Sequence, residues 1–416
     1  MRILFVTPYP PSRIRVRGYG FLTQLRREHE VTIVAQCASE QELADVAKLR
    51  EQGFEVVVVQ ESKLRSIIQS GMALVQTLPL QVAYARSQRF AQEVEQLCTQ
   101  RDFDVVHVEH LRGMASMEQI ARSRPLVWDA VDCISLLSKQ TMKAGPSRKV
   151  RMVARLEHER TRRYEARILQ HLPQTVVTSE RDRRAMIELR RTHLGDLASS
   201  DEVLGEGISV IPNGVDLGYF RAMQVERRKM NVVFSGKMSY HANVATALYL
   251  YQQIMPLIWE QRPETTLTIV GSRPPKAIQA LASDARVEVT GYVDDLRPYV
   301  QRAEVMLSPM VYSVGIQNKV LEAMALGTPV VVAAQAATAL GTTAGRDLLV
   351  AESAQEFASA TLRLLDDADL HQTLSRHGRE YVEQQHDWQK VTRRLTEVYE
   401  QAMLGYAKRP AAALAL

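Results

Sequence analysis

The chain has 416 residues with 52 Lys plus Arg against 47 Asp plus Glu, a formal net charge of +5, and a composition 46% hydrophobic and 24% charged. Those proportions belong to an ordinary globular protein and argue against a disordered or collagenous chain, while the length predicts two or three domains of roughly 150 residues each. Three cysteines, Cys37, Cys98 and Cys133, stand far apart with no Cys-x-x-Cys pair, against a disulfide framework, a zinc knuckle or an iron–sulfur centre and in favour of a reducing compartment.

In chain order, short apolar runs rich in β-branched residues recur at Ile3 to Thr7, Val31 to Ala35, Val56 to Val59, Val105 to Val108, Leu126 to Trp128, Thr175 to Thr178 and Ile208 to Ile211. Longer helical patterns separate them. Strands apolar on both faces and alternating with helices predict a parallel sheet covered on both sides. The rhythm restarts at Asn231, with runs at Leu267 to Val270, Val287 to Thr290, Val305 to Ser308 and Pro329 to Val332. The polar stretch Asp216 to Lys229 reads as a linker between two Rossmann-like domains, a helix is expected from about Gln385 to Tyr406, and the tail from Ala407 reads as frayed. No run of about 18 apolar residues is present, and the N-terminal Arg2-Ile-Leu-Phe-Val-Thr-Pro is too short to read as a signal peptide. A cytoplasmic protein is expected.

In parallel α/β sheets ligands bind beyond the carboxyl ends of the strands, so the residues there are the candidates. After the first strand, Gly18 and Gly20 suit a loop that approaches a phosphate and leads into a helix, with Arg17 and Tyr19 beside it on the acceptor side. After the fourth stand Glu109, His110 and Arg112, groups able to handle a hydroxyl proton. His107, inside the strand, reads as a core residue. Asp129 and Asp132 follow the fifth strand as further candidates for the base or the acceptor. Asp102-Phe-Asp104 spells a metal-binding D-x-D but precedes its strand, so it reads as a turn.

In the second half, Gly236 and Lys237 directly follow a strand and suit a departing diphosphate. Gly271 ends the next, and Tyr292 and Val293 after Gly291 suit stacking on a base and reading its edge. The densest signal is Gly315-Ile-Gln-Asn-Lys-Val-Leu-Glu-Ala-Met-Ala-Leu-Gly-Thr-Pro. Gly315 opens a helix whose free N–H groups bind phosphate. Lys319 and Glu322 share a face, and the carboxylate suits the two hydroxyls of a ribose.

These motifs, with Val210-Ile-Pro-Asn-Gly-Val-Asp216 and Ile269-Val-Gly271, resemble the retaining, nucleotide-sugar-dependent glycosyltransferases of the GT-B fold, family 4, in an exopolysaccharide-associated variant. The resemblance implies an α/β GT-B architecture: two facing Rossmann-like domains with parallel sheets and an interdomain cleft. Residues 1–222 would bind the acceptor, residues 223–385 the donor, and residues 386–416 would add a helix crossing back to the first domain and the tail. Lys237 would grip the diphosphate and Glu322 the ribose, while Gly315, Ile316, Gln317, Asn318, Lys319 and Val320 would hold sugar and phosphates through the backbone. His110 or Glu109 would stand near the anomeric carbon. The family's usual Glu eight residues before the second Glu is replaced by Val314, and its usual second lysine before Asn243 is absent; an arginine among Arg13 to Arg17 is the expected substitute. Transfer is expected with retention and without metal or cofactor, from a nucleotide-sugar donor to a glycan or lipid-linked glycan and not to nucleic acid. A transfer-inactive nucleotide-sugar-binding subunit and a GT-B nucleotide-sugar epimerase are the alternatives.

Charge is unevenly spread. Between Lys139 and Arg191 stand fifteen Lys or Arg against six acidic residues, a local balance of +9. A basic helix expected over about Ser147 to Gln170 would suit an anionic membrane surface, and a solvated helix laced by pairs such as Glu159 to Arg163 is the competing reading.

Overall fold

The computed structural model describes residues 1–61, 77–117, 120–144, 148–194, 200–310 and 316–408. The chain divides into two compact units: residues 1–143 and 148–213 with the C-terminal residues from 388, and residues 214–387.

The first unit is built on seven parallel strands: β1 (Arg2–Thr7), β2 (Glu30–Cys37), β3 (Glu55–Gln60), β4 (Val105–Glu109), β5 (Leu126–Val131), β6 (Gln174–Val177) and β7 (Ile208–Val210), in the order β3-β2-β1-β4-β5-β6-β7. Ile3 lies beside Val31 on one side and Val105 on the other, so β1 is central and the order reverses between β1 and β4. Both faces of the sheet are apolar. Leu4, Val106 and Trp128 pack into one layer of helices and Ile3, Phe5 and Val127 into the other, which is why these strands read as apolar runs without alternation. The second layer includes the C-terminal helix Trp388–Ala407, whose Trp388, Leu395 and Tyr399 are buried against this sheet.

The second unit repeats the plan with β8 (Arg228–Ser235), β9 (Thr266–Val270), β10 (Val287–Gly291), β11 (Ala303–Ser308), β12 (Val330–Ala333) and β13 (Leu349–Ala351), all parallel, in the order β10-β9-β8-β11-β12-β13. The reversal falls between β8 and β11. Two doubly wound parallel sheets are the GT-B plan expected from the motifs. The three-residue β13 was absent from the expected strands.

The expected linker is corrected. Residues 214–229 belong to the second unit, where Val215 N–H donates to the His386 carbonyl at 2.6 Å. The Gln301 side chain bonds Met223 N–H and carbonyl, each at 2.9 Å, and Arg227 reaches the carbonyls of Ala303 and Gly327. The boundary therefore falls after Asn213 rather than at residue 222, and the return falls before Trp388. Backbone anchored by side-chain amide and guanidinium groups needs no apolar period, so the stretch looked unstructured in sequence.

Candidate functional site

Each unit gathers its polar residues where the strand order reverses, the position at which open parallel sheets bind ligands.

In the first unit this is the end of β1 and β4. Glu109, 3% exposed, accepts from Thr7 Oγ1 at 2.8 Å, and burial, reinforced by the nearby Asp129 charge, pushes its carboxyl up to about 7. His110 follows in the left-handed region at φ 66°, a conformation that costs a residue with a Cβ and concentrates at functional sites. Arg112 N–H donates to His110 Nδ1 at 3.2 Å, so the ring proton sits on Nε2, and burial lowers the imidazole to about 4. At neutral pH His110 is a neutral donor. The adjacent strand end is strained in the same way: Val131 has φ 67° and Asp132 N–H closes back to the Ala130 carbonyl at 2.9 Å, a γ-turn. Asp132 accepts from Thr178 at 3.1 Å, and burial with the neighbouring Asp182 charge pushes it up to about 7.

Several expected assignments are overturned here. Gly18 and Gly20 lie within the helix Val16–Leu25 and not in a loop, and both are buried. A Cβ on Gly18 would stand 3.0 Å from Glu109 Oε2, and one on Gly20 would stand 2.1 Å from the Trp388 ring. Their smallness serves packing, in the first case the packing of Glu109 itself. Arg17 and Asp129, expected on the acceptor side, form a buried pair at 2.7 Å, and Arg17 also donates to the Ile211 carbonyl and Asn213. Tyr19 turns its hydroxyl to Gln52 at 3.3 Å. Arg15 pairs with Glu42 at 2.8 Å and is one-third exposed, so Arg17, and not Arg15, is wholly committed to a buried carboxylate. Arg112 is exposed and lines a cavity of about 210 Å³ with Tyr9, Arg15, Glu42, Tyr84 and Arg86 beyond β1 to β3. His107 is the core residue expected, stacked on Phe5 at 4.2 Å and bonded to the Tyr399 hydroxyl at 2.9 Å. Asp104 accepts from Arg2 N–H at 2.6 Å at the amino end of the sheet, the turn role expected for that acidic pair.

In the second unit the ends of β8 and β9 are laced together, Gly236 N–H to the Val270 carbonyl at 2.9 Å and Met238 N–H to the Ser272 carbonyl at 3.0 Å. The two turns approach so closely that a Cβ on Gly271 would fall 1.8 Å from the Gly236 carbonyl oxygen. Lys319 donates to Asn243 Oδ1 at 2.6 Å and lies over the Phe234 ring at 4.5 Å. A Cβ on Gly236 would meet Asn243 at 2.8 Å and Lys319 Nζ at 3.1 Å. Gly236, Asn243 and Lys319 therefore converge on one point. Burial lowers the Lys319 ammonium to about 8 and raises the Glu322 carboxyl to about 7. Lys319 bonds Asn243 rather than forming the surface ion pair with Glu322 that their spacing also allowed.

The other donor-side candidates separate by exposure. Lys237 and Tyr292 are exposed, Tyr292 at 74%. Gln317 is buried, accepts from Ser308 Oγ at 2.7 Å through its carbonyl oxygen, and keeps its amide nitrogen without a partner. Ile316 and Val293 are half-buried against the core and Val320 lies within it, so Val320 can meet a ligand only through backbone; Asn318 is the first residue of the helix Asn318–Ala325. Gly315 and Val314 lie outside the described residues. Asn243 is the residue that sequence reasoning undervalued, having been weighed only as the end of a lysine-poor motif.

Residues 229–367, all within the second unit, match the family described as Glycosyl transferases group 1. No curated protein sequence matches the chain significantly. Among solved structures, sucrose-phosphate synthase from Thermosynechococcus elongatus superposes with a TM-score of 0.68 at 16% identity, over 97% of this chain and 100% of that one. Anabaena HepE in complex with UDP gives 0.66 at 16% identity, over 96% and 100%. A glycosyltransferase from Rickettsia africae gives 0.64 at 10% identity, over 97% and 98%. At such identities the likeness is one of fold, and it extends over both units. The chain thus carries a glycosyl transferase group 1 domain within a GT-B fold.

Proposed function

We propose that the protein is a hexosyltransferase of the family 4 type that moves a sugar, with retention and without a metal or cofactor, from a nucleoside diphosphate to a hydroxyl of a glycan or lipid-linked glycan in polysaccharide assembly. The observation that carries this reading is the convergence of Gly236, Asn243 and Lys319 at the strand-order reversal of the second unit, inside the segment matched by the family. HepE, captured with UDP and with UDP-glucose, makes a uridine nucleotide the first probe.

The donor diphosphate lies against the Gly236 turn, where only hydrogen occupies the place of a side chain. Lys319, with Lys237 at the rim, meets the negative charge that grows as the bond between the anomeric carbon and the phosphate oxygen breaks. Asn243 holds the Lys319 ammonium in place. Glu322 accepts the ribose hydroxyls. The transition state has oxocarbenium character, and in the first unit the Glu109 carboxylate and the neutral His110 Nε2–H suit the developing positive charge and the sugar hydroxyls. The acceptor oxygen bonds to the anomeric carbon on the face the phosphate leaves, and its proton passes to the departing phosphate oxygen.

A thermal-shift panel of nucleoside diphosphates and their sugars tests the donor site, since a bound ligand raises apparent stability by mass action. UDP should raise the melting temperature of the parent chain and leave that of Lys319→Met unchanged, and Lys319→Met and Glu322→Gln should both lose donor consumption. Near-normal turnover by both variants would sink the assignment.

A further inference from the structure

The structure breaks up the broad basic region expected over residues 139–191. Arg183 and Arg184 pair with Glu180, Arg191 pairs with Glu188 and Asp201, and Arg190 caps the carbonyls of Leu169, Leu204 and Glu206. In the helix Arg148–His171, Arg160 pairs with Glu157, and Arg162 and Arg163 with Glu159. Seven of the region's fifteen cations are thus committed to contacts within the unit.

The first two turns of that helix differ. Met152 is 60% exposed, Leu156 66% and Val153 43%. With Lys149 they occupy positions i, i+3, i+4 and i+7, so one lysine and three large apolar side chains form a single outward stripe. The opposite face is fixed to the unit. Ala154 and Glu165 are buried, Glu157 accepts from Leu80 N–H at 2.6 Å, His158 bonds Ser138 at 2.9 Å, and Glu165 accepts from Ile134 N–H at 2.7 Å. Around the stripe, Arg148, Lys149 and Arg155 have no carboxylate partner among the described residues.

An exposed apolar stripe signals something that covers it, and the charge beside it selects the occupant. A second copy of the same face would set cations against cations. An anionic bilayer offers hydrocarbon to Met152, Val153 and Leu156 and phosphate groups to the cations at the same depth. We propose that the N-terminal half of the helix Arg148–His171 docks the protein on an anionic lipid surface, with Met152, Val153 and Leu156 inserted and Arg148, Lys149 and Arg155 on the headgroups. This inference goes beyond the transfer reading, and its test needs neither donor nor acceptor.

The experiment is flotation of the full chain with phosphatidylcholine vesicles, with and without phosphatidylglycerol as about a third of the lipid, at low and high salt. The parent chain should float only with the anionic lipid. Met152→Ser and Leu156→Ser should each lower the bound fraction roughly tenfold at low salt, as expected for losing one partly inserted apolar side chain. Lys149→Glu with Arg155→Glu should abolish binding. These positions are exposed, so the variants should melt with the parent. The three native cysteines are buried, so Leu156→Cys accepts an environment-sensitive dye selectively, and its emission should shift to the blue on anionic vesicles. Failure of the parent to float overturns the proposal. So does flotation indifferent to the serine substitutions with no shift of the dye, which would mean adsorption by charge alone.

Discussion

The two units share a topology and differ in what they place at the reversal of strand order. In the first unit the strand ends carry acids and a histidine: Glu109 and Asp129 are buried there, with the half-buried Asp132 and the strained His110 and Val131 beside them. In the second they carry glycines and a lysine, with Gly236 and Gly271 back to back and Lys319 tied to Asn243. Buried carboxylates suit a centre where positive charge develops, whereas exposed peptide groups and an ammonium suit a diphosphate. One sheet plan thus presents opposite electrostatics, set by the few residues after β1, β4, β8 and β9.

The sharpest break of this comparison is Gly271→Ala. A Cβ placed 1.8 Å from the Gly236 carbonyl oxygen must push two backbone turns apart, so the substitution should destabilise the second unit by about 3 kcal/mol and abolish UDP binding. Gly291→Ala is the control, since its φ of 70° carries a strain of about 1 kcal/mol with no neighbour within 4 Å. Equal effects in denaturant titrations of the two variants would show that the lacing of β8 and β9 does not shape the site.

Next in size is the acidic half. With Glu109 at about 7, transfer that needs its carboxylate should fall about tenfold per pH unit below 7 and level off above it. Glu109→Gln should lower the plateau by about 100-fold and remove the acid limb. Asp132 and Glu322 titrate in the same range, so Asp132→Asn and Glu322→Gln are run beside it. A limb that survives in Glu109→Gln and vanishes in Asp132→Asn reassigns the role. Arg17 adds a second handle: its charge holds the Glu109 carboxyl down, so Arg17→Met should move the limb to higher pH.

The sheets were legible because buried parallel strands write themselves as apolar runs. β13 was not, because three residues, Leu349–Ala351, make too short a run to separate from a loop. In the second unit the grouping was largely legible, since Gly236, Gly271 and Lys319 come together at the strand ends where the motifs put them. The first unit misled twice for one physical reason. A glycine beside an arginine looks the same whether it clears room for a phosphate or for a neighbour's side chain, and Gly18, Gly20 and Arg17 serve Glu109, Trp388 and Asp129. The left-handed Val131 left no trace, because a β-branched residue is the last expected at positive φ.

The smallest effect sharpens the cationic half. Burial lowers Lys319 to about 8, so the free protein loses this charge as pH rises through 8, while a bound diphosphate holds the proton on. Binding therefore takes up a proton above pH 8, and UDP affinity should fall by up to about tenfold per pH unit there, or about 1.4 kcal/mol. The phosphate cannot cause this fall, because its second ionisation near 6 is already complete. Lys319→Arg keeps its charge throughout and should show a flat affinity from pH 7 to 9 with Asn243 still in reach. Titration calorimetry at the two ends of that range decides the point: a flat profile in the parent would mean that the diphosphate is held by Lys237 and backbone alone, and that Lys319 serves only to pack Phe234.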